Sequence, residues 1–382
     1  MNRTNNNNPY RQMNNSQQKI INILLHIGRI FFGAVFVFSG FVKAIDPLGN
    51  AYKIEDYLTT FGGFFERFAD FAFPIAIALS TLELLIGLSM IFKVHVNATN
   101  LLAFLFMLVM TPLTLYIAIK NPVTDCGCFG DALIISNWAT FFKNVVLMSI
   151  LVLMLVHHNR YKPFVSKTIQ YYGSLLFVVI GVSLSVLSYR HLPMIDFLPY
   201  KVGVNITKAM EIPDNAPKDV YQTTFIYERE GEQKEFTLDN YPKDDSTWVF
   251  VDQKSKLIKE GYKPLIHDFS IVNGQFDDIT KEVLSFPGKT YLIIMYDLQK
   301  TSAEGAKKAE IIYQNALKAG DKCFALTGST DGEVEKFKKK TGVTYPFWKT
   351  DPTALKTIIR ANPGVVLIQK GTILGKRNWR DF

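Results

Sequence analysis

Apolar residues run almost unbroken over 20–45, 71–92, 98–119, 138–156 and 171–189. Each run is close to the ~20 residues that carry a helix across a ~30 Å hydrocarbon core, so the pattern predicts five transmembrane helices. Stretches 101–110 and 145–154 are apolar on every face. Such helices sit in lipid rather than on the surface of a soluble bundle. The first run is longer than a signal-peptide core and has no A-x-A cleavage site, which predicts a retained span. The preceding residues, 1–19, are rich in Asn and Gln without an apolar period and are expected to form a disordered cytoplasmic tail.

Beyond residue 199 the pattern changes. Short alternating runs at 220–227 and 234–238 flank a polar turn and predict a β-hairpin, and 246–251 is a further strand candidate, so 200–263 reads as a β-rich connecting module. From 264 to 382 strands alternate with helices. Strands are predicted at 291–296, 322–327, 364–369 and 372–376, and helices at 303–317, 331–340 and 351–359, which implies a layered α/β domain. The fold class expected is therefore multi-domain: an all-α transmembrane bundle over 20–158, a fifth span within 159–199, the connecting module, and an α/β domain.

Composition sharpens this division. The chain of 382 residues is 48% hydrophobic and 20% charged, and only about a third of its Lys and Arg lie before residue 200. The net charge of +8 forms no concentrated basic block, so nucleic acid is not an expected partner. Lys and Arg in short loops set orientation, because cytoplasmic loops carry the excess. With the amino terminus inside, inner segments hold Arg3, Arg11, Lys19, Lys93, Arg160, Lys162 and Lys167; outer segments hold Lys43, Lys53, Arg67, Lys120 and Arg190. That bias predicts a cytoplasmic amino terminus and places the carboxyl half, with the loop after the third span, outside.

Two ionisable residues fall deep in predicted spans. Arg29 and Glu83 each lie about nine residues from an inner helix end, or ~13 Å deep at 1.5 Å per residue. Unpaired charge at that depth is costly, so a structural ion pair between them is expected, with proton or substrate handling as the alternative. His26, one turn before Arg29, reads as an interfacial or packing residue rather than a ligand.

Three cysteines are present, too few for a disulfide scaffold and lacking the further ligands of a closed zinc site; no metal is expected. Cys126 and Cys128 flank Gly127, which permits the tight turn that two such sulfurs need to meet. A bridge there would be strained, and strain favours an exchanging disulfide over a static one. A pair of small buried residues, or a static bridge pinning the loop, is the alternative. The acidic flanks Asp125 and Asp131 should raise the thiol pKa unless a cation lies near, with Lys120 a candidate. Cys323, in the apolar run 322–326, reads as a core residue.

Arg29, the segment Phe38-Ser39-Gly40-Phe41-Val42-Lys43, Leu82-Glu83-Leu84-Leu85-Ile86-Gly87 and Asp125-Cys126-Gly127-Cys128-Phe129-Gly130-Asp131 together resemble the DoxX and MauE group of bacterial membrane proteins over residues 20–158. That resemblance implies a four-helix core in the plasma membrane, an association with thiol redox systems, and disulfide formation in exported partner proteins. Residues Asp268-Phe269-Ser270 and Asn362-Pro363-Gly364-Val365-Val366-Leu367-Ile368, with the strand and helix order, resemble thioredoxin-like domains of the TlpA and peroxiredoxin type. The resemblance implies a cis proline at Pro363 beside a partner-binding groove. Where such enzymes carry C-x-x-C, this chain reads Asp297-Leu298-Gln299-Lys300-Thr301-Ser302. A domain without a thiolate there has no nucleophile for disulfide exchange.

Three functions follow as expectations. In the first, Cys126 and Cys128 act as a catalytic pair exchanging disulfides with an exported thiol protein on the periplasmic face, while the α/β domain binds that partner and a quinone or other membrane electron acceptor completes turnover. In the second, the chain is a non-enzymatic assembly protein with a structural cysteine pair. In the third, resting on Arg29 and Glu83 alone, it is a small-molecule transporter.

Overall fold

Helix α1 spans Asn15–Ile45 and stops where Asp46 and Pro47 begin the next helix. Asp46 accepts a hydrogen bond from the Gly49 backbone and Pro47 occupies the first turn, a start signal for α2 (Pro47–Phe61). The computed structural model describes residues 14–123, 126–160, 165–243 and 245–382. Residues 1–13 of the expected tail lie outside that set, while its last residues, from Asn15, already belong to α1. A 3-10 turn at Phe65–Phe71 leads into α3 (Ala72–Phe92), followed by α4 (Val96–Lys120), α5 (Asn137–Val156) and α6 (Lys167–Arg190).

Among the described residues, α1, α3, α4, α5 and α6 are the helices long and apolar enough to cross a bilayer, with the 3-10 turn continuous with α3. Leu25, Phe32, Phe36, Ile86, Met90, Met107, Leu147 and Leu151 form the inner core. Ile23, Ile27, Phe31, Leu105, Val109 and Val146 face outward at half exposure or more. An apolar surface of that extent needs lipid as its solvent. Helices α1 and α3 cross at small residues. A Cβ on Gly40 would lie 2.6 Å from the Leu84 nitrogen, and one on Gly87 2.6 Å from the Val37 nitrogen. Such close backbone approach is how helices pack where lipid removes the hydrophobic drive.

The expected boundary at 200 falls inside the next domain. Tyr200 and Ile206, the latter in the short helix α7 (Ile206–Met210), are buried in the core of the α/β domain, and Asn205 bonds the Lys370 carbonyl. Strands β1 (Val220–Arg229), β2 (Glu232–Thr237) and β3 (Val249–Lys259) then form an antiparallel sheet in the order β2-β1-β3. The hairpin stands where alternation predicted it. The third strand begins three residues later than expected and extends to Lys259.

The α/β domain contains α8 (Thr280–Ser285), β4 (Lys289–Ile294), α9 (Ala303–Ala319), β5 (Lys322–Thr327), α10 (Asp331–Thr341), β6 (Phe347–Lys349), α11 (Pro352–Ile358), β7 (Gly364–Gln369) and β8 (Thr372–Asn378). Its sheet runs β6-β5-β4-β7-β8, with β4, β5 and β6 parallel and β7 and β8 antiparallel to their neighbours. Successive side chains on a strand point to opposite faces. Leu292, Ile294, Phe324 and Leu326 thus enter one core with Phe269 and Leu355, while Ile293, Met295, Cys323 and Ala325 enter the other with Ala306 and Phe337. Burial on both faces explains why these strands read as continuous apolar runs. The Asn362–Pro363 peptide before β7 is cis.

Candidate functional site

The cysteine loop lies between α4 and α5. Gly127 has φ +64° and Gly130 φ +53°, both in the left-handed region, and the Gly130 N–H closes a turn on the Gly127 carbonyl at 3.0 Å. At Gly127 that backbone suits the residue without a Cβ. The turn brings the Cys126 and Cys128 sulfurs to 3.4 Å as free, partly buried thiols. Ser39 on α1 donates to the Cys128 carbonyl at 2.6 Å, and Phe129 is buried beside Phe38 with its ring centroid 5.3 Å away. Lys143 of α5 lies 4.5 Å from the Phe129 ring centroid.

The two thiols are inequivalent. The hydrogen bond with Cys126 draws Cys128 down to about 6 against the opposing effect of burial, helped by the charges of Lys143 and Lys43. The same bond raises Cys126, which keeps its proton, and burial adds to the rise. The acidic flank Asp131 therefore does not govern the pair. Asp131 is neutralised by Arg360 at 3.0 Å and Lys53 at 3.6 Å, and the cations acting on Cys128 are Lys143 and Lys43 rather than Lys120. Asp125 lies outside the described residues.

Beneath the loop is a cavity of about 530 Å³ in the bundle, lined by Cys126, Cys128, Lys43, Glu83 and Lys143 and otherwise mainly by apolar side chains of α1, α2 and α4. Glu83 does not meet Arg29. Its Oε1 accepts from Lys43 Nζ at 2.7 Å, whereas Arg29 donates to the Met90 and Ile91 carbonyls, the latter at 2.8 Å. The small-residue crossing sets this register: α1 position 40 packs on position 84, and position 37 on 87, so Arg29 falls opposite the far end of α3. Seven residues separate Glu83 from Met90, about 10 Å of helix. His26 bonds the Asn22 carbonyl at 2.8 Å and lies 3.3 Å from Lys93 Nζ, at the opposite end of the bundle from the cysteines.

The α/β domain docks on the cysteine end. Arg360, 6% exposed, donates through Nε to both Asp46 oxygens at 3.0 and 2.9 Å and through its NH2 nitrogen to Asp131 at 3.0 Å. One guanidinium thereby ties the end of α1, the cysteine loop and the segment after α11 together. The Tyr52 hydroxyl of α2 bonds the Tyr296 hydroxyl at 2.9 Å, and Lys376 and Asp381 pair with Asp196 at 2.7 Å and His191 at 2.5 Å. The cis-proline loop lies at this junction. Asn362 accepts from the Thr301 hydroxyl at 2.8 Å and donates to the Asp297 carbonyl at 2.8 Å, while a Cβ on Gly305 would lie 2.8 Å from the Pro363 ring. A cleft of about 430 Å³, lined by Tyr52, Tyr296, Lys300, Arg360, Asn362 and Trp379 among others, remains between the domains.

Residues 21–157, which carry the loop, the cavity and the Lys43–Glu83 pair, match the family model described as methylamine utilisation protein MauE. Over those residues the chain is similar to MauE membrane proteins. Residues 221–260, within the three-stranded sheet, match a domain of unknown function, DUF8463. A putative protein disulfide isomerase from Bacteroides thetaiotaomicron, solved in solution, is similar at 19% identity with a TM-score of 0.26, covering 30% of this chain and 77% of that chain. The curated proteins contain no match to this chain.

Sequence reasoning missed the clamp between the membrane bundle and the α/β domain. Arg360 and its partners are 314 and 229 residues apart in the chain. The one local signal was Asp46-Pro47, a helix start that also marks α2. Cys323 is buried in β5, and its thiol is pushed up to about 12 by burial, then by Glu310. That environment keeps it protonated and inert.

Proposed function

We propose that this chain is a membrane-embedded thiol/disulfide exchange component in which Cys126 and Cys128 do the chemistry and the thioredoxin-like domain serves as a non-catalytic partner module. The reading rests above all on two free thiols held 3.4 Å apart over a bundle cavity, one of them poised as a thiolate near neutral pH. When the pair is oxidised, a partner thiolate attacks Cys126, the S–S bond breaks, and Cys128 leaves as the thiolate. A low-pKa thiol is the better leaving group. A second partner thiol then attacks the mixed disulfide, releasing Cys126 and carrying the bridge into the partner. Two partner thiols become one disulfide as Cys126 and Cys128 take up two electrons; Cys126 takes one proton, Cys128 stays a thiolate, and the other proton goes to solvent.

The partner is an exported thiol protein, and the exchange takes place on the extracytoplasmic face of a bacterial plasma membrane with the amino terminus in the cytoplasm. The short-loop charge bias supports that orientation. Arg360 supports a shared side, because it bonds the cysteine loop and the α/β domain at one end of the bundle. The cleft beside the cis-proline loop, with Lys300 and Asn362 on its wall, is the place for a partner segment, next to but not including the thiols.

With Cys128 replaced by Ser the chain forms no bridge of its own; Cys126 links to a partner by attacking the disulfide of its oxidised form, one partner sulfur leaves as the thiol, and no Cys128 is present to resolve the adduct. In cells expressing C128S, a mixed disulfide with an exported protein is expected on non-reducing gels, absent in the C126S/C128S double variant. If C128S and the wild type show identical, adduct-free patterns and both single variants retain full activity, the exchange reading fails and a structural pair replaces it.

A further inference from the structure

The cavity under the cysteine loop has features that exchange with a protein partner does not use. At about 530 Å³ it falls in the range of small-molecule sites and is far larger than a packing defect. Its wall is mainly apolar, including Leu113 and Met110, and it reaches the outer surface of the bundle at Phe65 and Val109, 52% and 64% exposed. A ligand could therefore enter sideways from lipid. At the inner wall stand an ammonium and a carboxylate, Lys43 and Glu83, whose side chains are only 12% and 7% exposed. One carboxylate oxygen is used by Lys43, while the other, Oε2, is buried without a hydrogen-bond partner among the described residues. A buried carboxylate oxygen left unsatisfied is costly, and its position on a cavity wall calls for a donor from whatever occupies that cavity.

We propose that this cavity binds a lipid-soluble quinone, with its ring between Cys128 and the Lys43–Glu83 pair and its apolar tail leaving past Val109. The proposal rests on the exchange reading above and names the acceptor that such exchange requires. Each part of the wall fits one part of that molecule. Lys43 can donate to a quinone carbonyl, Glu83 Oε2 can accept from the hydroxyl of the quinol product, and the apolar walls suit ring and tail. In the transfer, the Cys126 S–H bond is lost and its sulfur joins the Cys128 thiolate in one S–S bond, which releases two electrons and one proton; the second proton comes from solvent. The two quinone carbonyls take them up and become hydroxyls. Neither a metal nor a further oxidant is needed, and the oxidised pair is restored for the next partner thiol. A transported polar solute would leave Glu83 Oε2 and Lys43 useful but the aromatic and aliphatic mouth unexplained.

The full chain in lipid nanodiscs tests this with a benzoquinone bearing a decyl tail. With the cysteines pre-reduced, stoichiometric quinol and one Cys126–Cys128 bond per chain are expected from a single addition, read by ultraviolet absorbance and by mass spectrometry. Binding is read separately on the C126S/C128S variant, where a photoreactive analogue should label α1 or α4 at the cavity and be displaced by the decyl compound. L113W, which fills the cavity, should lower both labelling and quinol formation at least tenfold. V109W, at the lipid-facing mouth where no core packing is disturbed, should slow quinol formation several-fold and guards against misfolding of L113W. Labelling outside the cavity, or quinol formation within twofold of wild type in both Trp variants, would overturn the site. Quinone binding that survives while no mixed disulfide is ever trapped would instead sink the exchange reading and leave the site standing.

Discussion

Between α4 and α5 the membrane bundle holds two thiols 3.4 Å apart, with Lys43 and Lys143 acting on one of them. Just beyond β4 the α/β domain holds Tyr296, Asp297 and Leu298, with no thiol among them. The first region holds a close pair of thiols, and the second is the folded body packed against their loop. The surface around Tyr296 and the cis-proline loop is turned toward α2 of the membrane domain, where Tyr52 and Arg360 hold it against the cysteine loop. The α/β domain therefore clamps the loop that carries the two thiols.

The largest test of this division is the clamp itself. Arg360→Met leaves Asp46 and Asp131 without their buried partner, and breaking one side of such a pair costs about 3–5 kcal/mol. Limited proteolysis in detergent should release the α/β domain from the variant under conditions where the wild type stays whole; unchanged protection would show that Arg360 does not hold the domains together. Next in size is the reactivity of the pair. The folded Cys128 pKa is lowered, so its thiolate is present above about 6 and lost as pH falls below it. The alkylation rate of Cys128 should rise to a plateau with a midpoint near pH 6, while Cys126 stays slow throughout, and a midpoint near the ordinary ~8.5 of a free thiol would contradict the inequivalence. Lys43→Met should move that midpoint upward, because Lys43 is one of the two cations that favour the thiolate. Smallest is Tyr52→Phe, which deletes one neutral hydrogen bond to Tyr296 and should weaken docking by about 0.5–1.5 kcal/mol, seen as a modest shift in thermal unfolding.

Much of the architecture was legible because single residues spoke for their own surroundings. The spans are apolar on every face, and β4, β5 and β7 are apolar runs because both faces of their sheet are covered. Distance in sequence hid the rest. The Arg29–Glu83 expectation measured depth from the ends of apolar runs, but helix register depends on where Gly40 and Gly87 let two backbones approach, and that crossing delivers Glu83 to Lys43. Helix α2 escaped notice because it is amphipathic and short of a full span, although Asp46-Pro47 announced it. The acidic residue Asp131 reads locally as a group that raises a thiol pKa. Only the fold reveals Arg360 beside it.

The central claim, that Cys126 and Cys128 form a working redox pair beside the α/β domain outside the membrane, is tested most directly by differential alkylation in intact cells with a membrane-impermeant thiol reagent. The account predicts that the pair is found bridged in part, that a brief impermeant reductant converts it to two labelled thiols, and that Cys323 stays unlabelled until the protein is unfolded. Cysteines that are always reduced, or that label only after the membrane is breached, would contradict it.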